Sequence, residues 1–309
     1  MINHTLLMKK AIKVFRLRLF SMLLSAFIAF CSMNAFSQGS FQSFLGLGVS
    51  AGISDYKGEL DNNFSTKFSR YGVGAHFVFL FSPHWNVRAT FYNGEVTASD
   101  ASSTNDWTIN RNLAFRSSIN EFGFQLVYKF LGEKTGELAR RNITPYLFAG
   151  VAVYHFNPQD SINGIWVNLQ PLGTEGQYLT TGNNPKPYSL TQIAIPFGIG
   201  LTKKLNDNFD IGIEVGFRKL FTDYLDDVSG VYPDEAQLLE QEGKLAADLS
   251  NRTTLPRAQT GSPRGDPNAN DMYIYTNINI TYYFTWDGAG IFGKGSHQKN
   301  NCDAFPQGN

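Results

Sequence analysis

The stretch Ile119-Asn-Glu-Phe-Gly-Phe-Gln-Leu-Val-Tyr-Lys-Phe130 decides the fold. Phe122, Phe124, Leu126, Tyr128 and Phe130 fall on one face of an extended chain. Glu121, Gly123, Gln125, Val127 and Lys129 fall on the other. Strict alternation over a dozen residues is the signature of a β-strand with two unlike surroundings.

The pattern recurs on both sides of this stretch. Upstream, Phe44 to Ile53, Tyr71 to Phe81 and Trp85 to Val96 alternate in the same way. Downstream come Thr144 to Phe156, Tyr188 to Leu201, Phe209 to Phe221 and Tyr273 to Trp286. In the fifth stretch the reading places Tyr146, Phe148, Ala152, Tyr154 and Phe156 on the apolar face. All eight segments reach or exceed the roughly 9–11 residues that a tilted strand needs to cross a bilayer. Their connections alternate between long (Ser54 to Arg70, Thr97 to Ser118, Asn157 to Pro187, Tyr224 to Met272) and short or moderate. That asymmetry predicts an all-β fold: an eight-stranded antiparallel up-and-down transmembrane β-barrel with long extracellular loops.

The two faces decide between membrane and water. A soluble eight-stranded barrel turns apolar residues inward and polar ones outward. Here one face is continuous and bulky, while the other combines glycine with single charges. Glycine on a solvated strand face weakens the strand without return. In a narrow lumen it leaves room for polar side chains, and hydrocarbon cannot satisfy an isolated charge. The lumen is therefore assigned a structural polar network of Arg88, Glu121, Gln125, Lys129, Gln192, Glu214 and Arg218, with Arg88 or Arg218 paired to Glu121 or Glu214. Eight strands enclose only enough space for side chains, so the barrel is expected to be plugged. Tyr71, Trp85, Tyr128, Tyr154 and Trp286 are read as interfacial girdle residues.

Residues 1–37 read as a signal peptide: Lys9, Lys10, Lys13, Arg16 and Arg18 precede an apolar run from Leu19 to Phe30, and Ala35-Phe36-Ser37 suits a cleavage site. Residues 38–286 form the barrel and 287–309 a periplasmic tail. Without the five basic residues of the leader the chain carries 21 basic against 26 acidic residues, a net of −5. Such a balance gives no electrostatic reason to bind nucleic acid. Cys302 alone follows the leader, so no intrachain disulfide holds the fold. The expected localisation is the cell outer membrane, in contact with its lipid.

Chemistry-bearing groupings are few. Gly46, Gly48 and Gly52 alternate within a strand and lack dinucleotide-fingerprint spacing. His76, His84 and His155 lack the paired spacing of a zinc site. Asp223, Asp226 and Asp227 form an outer-rim acidic cluster, read as solvated because a full calcium loop is missing. His155, Asp160 and Ser161 are the one grouping suggestive of a nucleophile and its base. No catalytic, cofactor or metal residues are assigned, and an enzyme is not expected. Asp234 to Leu249 reads as one helix, and Thr254 to Asn270 as a mobile segment rich in Pro, Gly, Arg and Asn.

Several blocks carry a family resemblance. Thr144-Pro-Tyr-Leu-Phe-Ala-Gly150 runs into Tyr154-His-Phe-Asn-Pro158. Tyr188-Ser-Leu-Thr-Gln-Ile-Ala-Ile-Pro-Phe-Gly-Ile-Gly200 and Gly216-Phe-Arg-Lys-Leu-Phe-Thr-Asp-Tyr-Leu-Asp-Asp-Val228 follow. With Tyr56-Lys-Gly-Glu-Leu60 and Arg111-Asn-Leu-Ala-Phe115, they resemble the PorG-like outer-membrane β-barrel proteins of the type IX secretion system. The resemblance implies a non-enzymatic anchor that associates with periplasmic ring components and supports export and gliding machinery. It supplies no catalytic residues. The alternatives are a surface-exposed binding or adhesion barrel working through Tyr224 to Met272, and a barrel hydrolase or acyltransferase.

Overall fold

The computed structural model describes residues 43–61, 66–133, 141–182, 184–254 and 256–284, together with the pairs 289–290 and 293–294. The leader, Trp286, most of the tail and residues 134–140 of the Leu131–Ile143 connection lie outside the described residues. The strands are β1 (Phe44–Lys57), β2 (Arg70–Leu80), β3 (Trp85–Ser99), β4 (Ala114–Lys129), β5 (Ile143–Ile162), β6 (Ile165–Asn168), β7 (Thr191–Lys204), β8 (Phe209–Leu220) and β9 (Met272–Phe284).

Eight of these close a barrel. Each pairs antiparallel with its neighbours in chain order, and β9 returns to β1 with Val49 opposite Ile280. Closure removes the open edges that a bilayer would leave unsatisfied. The ninth, β6, only doubles back on the outer end of β5. Tight connections (residues 81–84 and 205–208) sit at one mouth, and the long ones rise from the other.

Register shows where hydrocarbon ends. Phe91, Phe122, Val153 and Ile193 lie side by side around the wall, all exposed outward. Two residues further out, the corresponding row is Asn93, Asn120, His155 and Thr191. Asn93 Nδ2 donates to Asn120 Oδ1 at 2.8 Å, and His155 Nδ1 lies 3.1 Å from Thr191 Oγ1. The wall thus changes from apolar to hydrogen-bonding within one step. Toward the short-turn mouth, Trp85 packs on Tyr128 with ring centroids 4.8 Å apart, and Phe209 packs on Tyr282 at 5.0 Å. Between these limits the outward apolar run spans nine residues from Phe122 in β4 to Phe130 just after it, and eleven on β5 (Ile143–Val153), the length a tilted strand needs. The strands continue beyond the outer limit, so the barrel stands above the membrane as a polar-walled collar. No helix among the described residues is long and apolar enough to cross a membrane; strands do the crossing.

One strand faces opposite to the sequence reading. On β5 the aromatic set Tyr146, Phe148, Tyr154 and Phe156 points inward and is buried, while Leu147, Val151 and Val153 face lipid. Tyr154 is 0 % exposed and is not a girdle residue. The physical reason is complementarity of size. A Cβ on Gly200 would lie 2.3 Å from the Tyr146 ring, and one on Gly198 or Gly216 would lie 2.8 or 3.0 Å from Phe148 Cζ. The glycines of β7 and β8 are the space into which the β5 aromatics fit.

The outer connections form a cap. Its helices are α1 (Asp106–Arg111), α2 (Glu235–Gln241) and α3 (Lys244–Ser250). The single helix expected over Asp234–Leu249 is two, broken at Gly243, whose φ of +90° suits glycine and not the helix. Residues 254–270, read as mobile, include Arg264, which is 1 % exposed and joined by its guanidinium to Ser250, Glu175 and Asp227.

Candidate functional site

Two polar assemblies stand out, one in the lumen and one in the cap. In the lumen, Arg88 from β3 donates through Nη1 to Glu214 Oε2 on β8 at 2.6 Å. Its Nε and Nη2 reach Gln125 Oε1 on β4 at 2.9 and 2.5 Å. The Tyr146 hydroxyl donates to the same Glu214 oxygen at 2.8 Å, and Phe148 lies under the guanidinium at 4.8 Å. Arg218 pairs with Glu121 at 3.3 Å, and the Tyr273 hydroxyl donates to Glu121 Oε2 at 2.5 Å. All of these groups are buried, which makes each partner costly to lose. Lys129 pairs lower down with Glu133, a residue the sequence reading did not select. Gln192 stands apart from this network and donates to the Ser189 carbonyl at the outer rim.

The space left among these side chains is a cavity of about 30 Å³ lined by His76, Arg88, Tyr92, Glu121, Glu214 and Tyr275, among others. It exceeds the roughly 10–15 Å³ that one ordered water needs and is far short of a channel. Outward of it, Val96, Phe115, Ile119 and Phe156 continue an apolar and aromatic core to the cap. The lumen is filled, as a barrel of this strand number allows.

The cap contains the second assembly. Arg264 donates to Glu175 Oε1 at 3.0 Å and to the Asp227 carbonyl at 2.5 Å. Glu175 also accepts from the amides of Ser229 and Gly230. Arg111 holds Asp100 through two bonds of 2.7 and 2.8 Å and reaches the carbonyls of Arg264 and Glu59. Three of the sequence blocks quoted above, around Tyr56, Arg111 and Asp223, meet here.

The acidic cluster expected to be a solvated rim is buried: Asp223, Asp226 and Asp227 lie beneath the cap. The cap connections fold back over the strand ends, which sequence neighbours alone could not show. Asp227 accepts from Tyr188 at 2.6 Å and from Thr174. Burial pushes its carboxyl up to about 6, with Arg264 holding it back. Asp226 accepts from the Val228 amide at 2.9 Å and lies 2.6 Å from the Tyr56 hydroxyl, which also lies 2.8 Å from Asp271. A phenol has one proton to give, so one of these contacts uses a proton carried by a carboxyl. Burial accordingly raises Asp226 to about 8 and Asp271 well above the usual carboxylate range. Glu59, Glu175, Arg264 and Asp271 were invisible as site residues because they come from other connections or from the far end of the connection that holds Asp223.

The His155, Asp160 and Ser161 grouping does not assemble. His155 points outward and Asp160 inward, five residues along one strand. Asp160 is taken by Arg252 at 2.5 Å.

A closed antiparallel barrel with a continuous outward apolar belt and a plugged polar lumen defines an integral outer-membrane β-barrel protein. The chain belongs to the family described as "Domain of unknown function (DUF6089)", whose model matches residues 21–248. Solved structures similar to it include Ail, the attachment invasion locus protein of Yersinia pestis (11 % identity, TM-score 0.38, covering 79 % of this chain and 100 % of that one). OprG from Pseudomonas aeruginosa is similar at 14 % identity and a TM-score of 0.39, covering 80 % of this chain and 98 % of its own. The outer membrane enzyme PagL is similar at 14 % identity and a TM-score of 0.31, covering 76 % and 97 %. No curated protein matches the chain.

Proposed function

We propose that this barrel is a non-enzymatic structural anchor or interaction component of the type IX protein secretion and gliding machinery. The observation that carries the reading is the filled interior. Arg88–Glu214 and Arg218–Glu121 occupy the lumen, so useful contacts must be made at the ends and on the outside. The sequence blocks that resemble PorG-like proteins supply the rest of the support. On this reading, periplasmic ring components meet the short turns, the Leu131–Ile143 connection and the tail.

The test is site-specific crosslinking in cells from Cys302 and from a cysteine placed at Asn206, followed by identification of the captured protein. Capture of a secretion-ring component is the expected result. Loss of secretion on deleting the outer connections, with the turns and tail dispensable, would overturn it. That outcome would favour the second reading, a surface-binding barrel, which the ordered cap around Arg264 supports.

A further inference from the structure

Glu59 follows β1, Asp223 follows β8, and Asp271 immediately precedes β9. One carboxylate oxygen from each lies within 4.8 Å of the other two. Two Ca–O bonds of roughly 2.4 Å cover that distance. Asp223 is 5 % exposed, and both of its oxygens, like both of Glu59's, are shut from solvent and make no hydrogen bond within 3.5 Å, the two carboxyls facing each other with Ser229 beside Asp223. Buried polar atoms in folded proteins nearly always have partners. Four such carboxylate oxygens facing a third carboxylate have the chemistry to take up a cation.

The third carboxylate is held in place. Asp271 Oδ2 accepts from the Leu225 amide at 2.9 Å, and Oδ1 is 2.8 Å from the Tyr56 hydroxyl. The chain passes so close that a Cβ on Gly58 would lie 2.1 Å from Asp271 Oδ1. No described Lys or Arg forms an ion pair with Glu59, Asp223 or Asp271. The nearby guanidiniums of Arg111 and Arg264 are engaged by Asp100 and Glu175.

We propose that Glu59, Asp223 and Asp271 form a calcium-binding site that ties the β1–β2 connection to both ends of the β8–β9 connection. The donors are all hard carboxylate oxygens, without the imidazole or thiolate that selects zinc or copper. Calcium takes six to eight oxygens in flexible geometry and accepts bidentate carboxylates, which the free oxygen pairs of Glu59 and Asp223 can supply. Magnesium demands a stricter octahedron. Without the ion, burial above all keeps protons on the cluster, with Glu59 raised to about 10 and Asp223 to about 7. Binding releases those protons. Extracellular calcium modules bind at around 10⁻⁴–10⁻³ M, and a similar affinity is expected on the outer face.

The full chain, refolded in detergent, is titrated with terbium while tyrosine is excited. Tyr56 touches the cluster, so sensitised emission should saturate at one ion per chain and be displaced by calcium. Glu59→Gln and Asp223→Asn should each weaken binding at least tenfold. Asp248→Asn, on the exposed face of α3, should leave it unchanged. As a measurement free of variants, calcium over chelator should slow tryptic cleavage of the cap at least tenfold in the unaltered chain. Absence of saturable emission, emission indifferent to both variants, or cleavage equal in calcium and chelator would overturn the proposal. Stronger displacement by magnesium than by calcium would overturn the choice of ion.

Discussion

Truncating Glu214 strands Arg88. In the folded barrel the Arg88 guanidinium holds Glu214 at 2.6 Å and Gln125 at 2.5–2.9 Å, buried beside a small lumen cavity. Glu214→Ala removes the counter-charge and leaves a buried cation, which costs about 3–5 kcal/mol. Arg88→Met alone should cost a similar amount, because it leaves the carboxylate with only the Tyr146 hydroxyl. The double variant Arg88→Met with Glu214→Met replaces the pair by apolar groups of similar size. It should recover most of the loss, since such swaps in buried ion pairs are often neutral or stabilising. The assay is urea unfolding in lipid vesicles, followed by tryptophan fluorescence and by heat-modifiable gel migration. The coupling energy between the two sites should exceed about 1.5 kcal/mol and favour the pair. Single variants costing less than about 1 kcal/mol, or strictly additive effects, would mean that the lumen is wetter or looser than the geometry states, and would refute the reasoning.

Other expectations follow from the glycines, the belt and the cap. Gly150→Ala would bring a Cβ to 2.1 Å from the Phe124 carbonyl and 2.8 Å from Gln125 Cα, both backbone atoms; it should destabilise by about 1–3 kcal/mol and lower the yield of heat-modifiable barrel. Val151→Arg on the lipid face should cost about 2–4 kcal/mol in vesicle unfolding, whereas Asn120→Arg, one step beyond the apolar row, should cost at most about 1 kcal/mol. In chelator the cap should loosen as pH rises. Its acids have folded pKa values above their unfolded ones, so their stabilisation is complete below about 4 and is lost through about 6 (Asp227), 7 (Asp223) and 8 (Asp226). Asp227 faces Arg264, Thr174, Tyr188 and Glu175. Asp223 faces Glu59, Ser229, Glu175 and Asp266, and Asp226 faces Tyr56, Asp223 and Arg111. Hydrogen exchange in residues 221–271 should rise across that range, and Asp226→Asn should flatten the rise. An opposite slope would contradict the burial of these carboxyls.

Alternation made most of the barrel legible because a strand between lipid and lumen needs two unlike faces. Phe122 to Phe130 against Glu121 to Lys129 left no doubt which was which. The fifth strand misled because both of its faces are apolar, so period alone could not orient it. Two signals were present. Its odd-numbered face turns polar at His155, Asn157 and Gln159, as a wall leaving the membrane must. Its large inward aromatics also match the glycines of the sixth and seventh segments in size. The cap was less legible for a different reason. Asp223 and Asp226 read as solvated because no full calcium loop surrounds them in sequence, but Glu59 arrives from the β1–β2 connection and Arg264 and Asp271 from the far end of their own. Only closure of the barrel brings β1, β8 and β9 together. A pairing between distant connections has no local signature.

The central claim is a membrane barrel whose interior is sealed by Arg88–Glu214 and Arg218–Glu121. It is tested most directly by electrical recording from the folded protein in a planar lipid bilayer. A sealed lumen predicts no stable conductance steps across the folded barrel, and none when Arg88 and Glu214 alone are replaced by alanine, because Arg218–Glu121 and the aromatic core beyond it still fill the interior. Discrete, ohmic steps from the unaltered chain would contradict it.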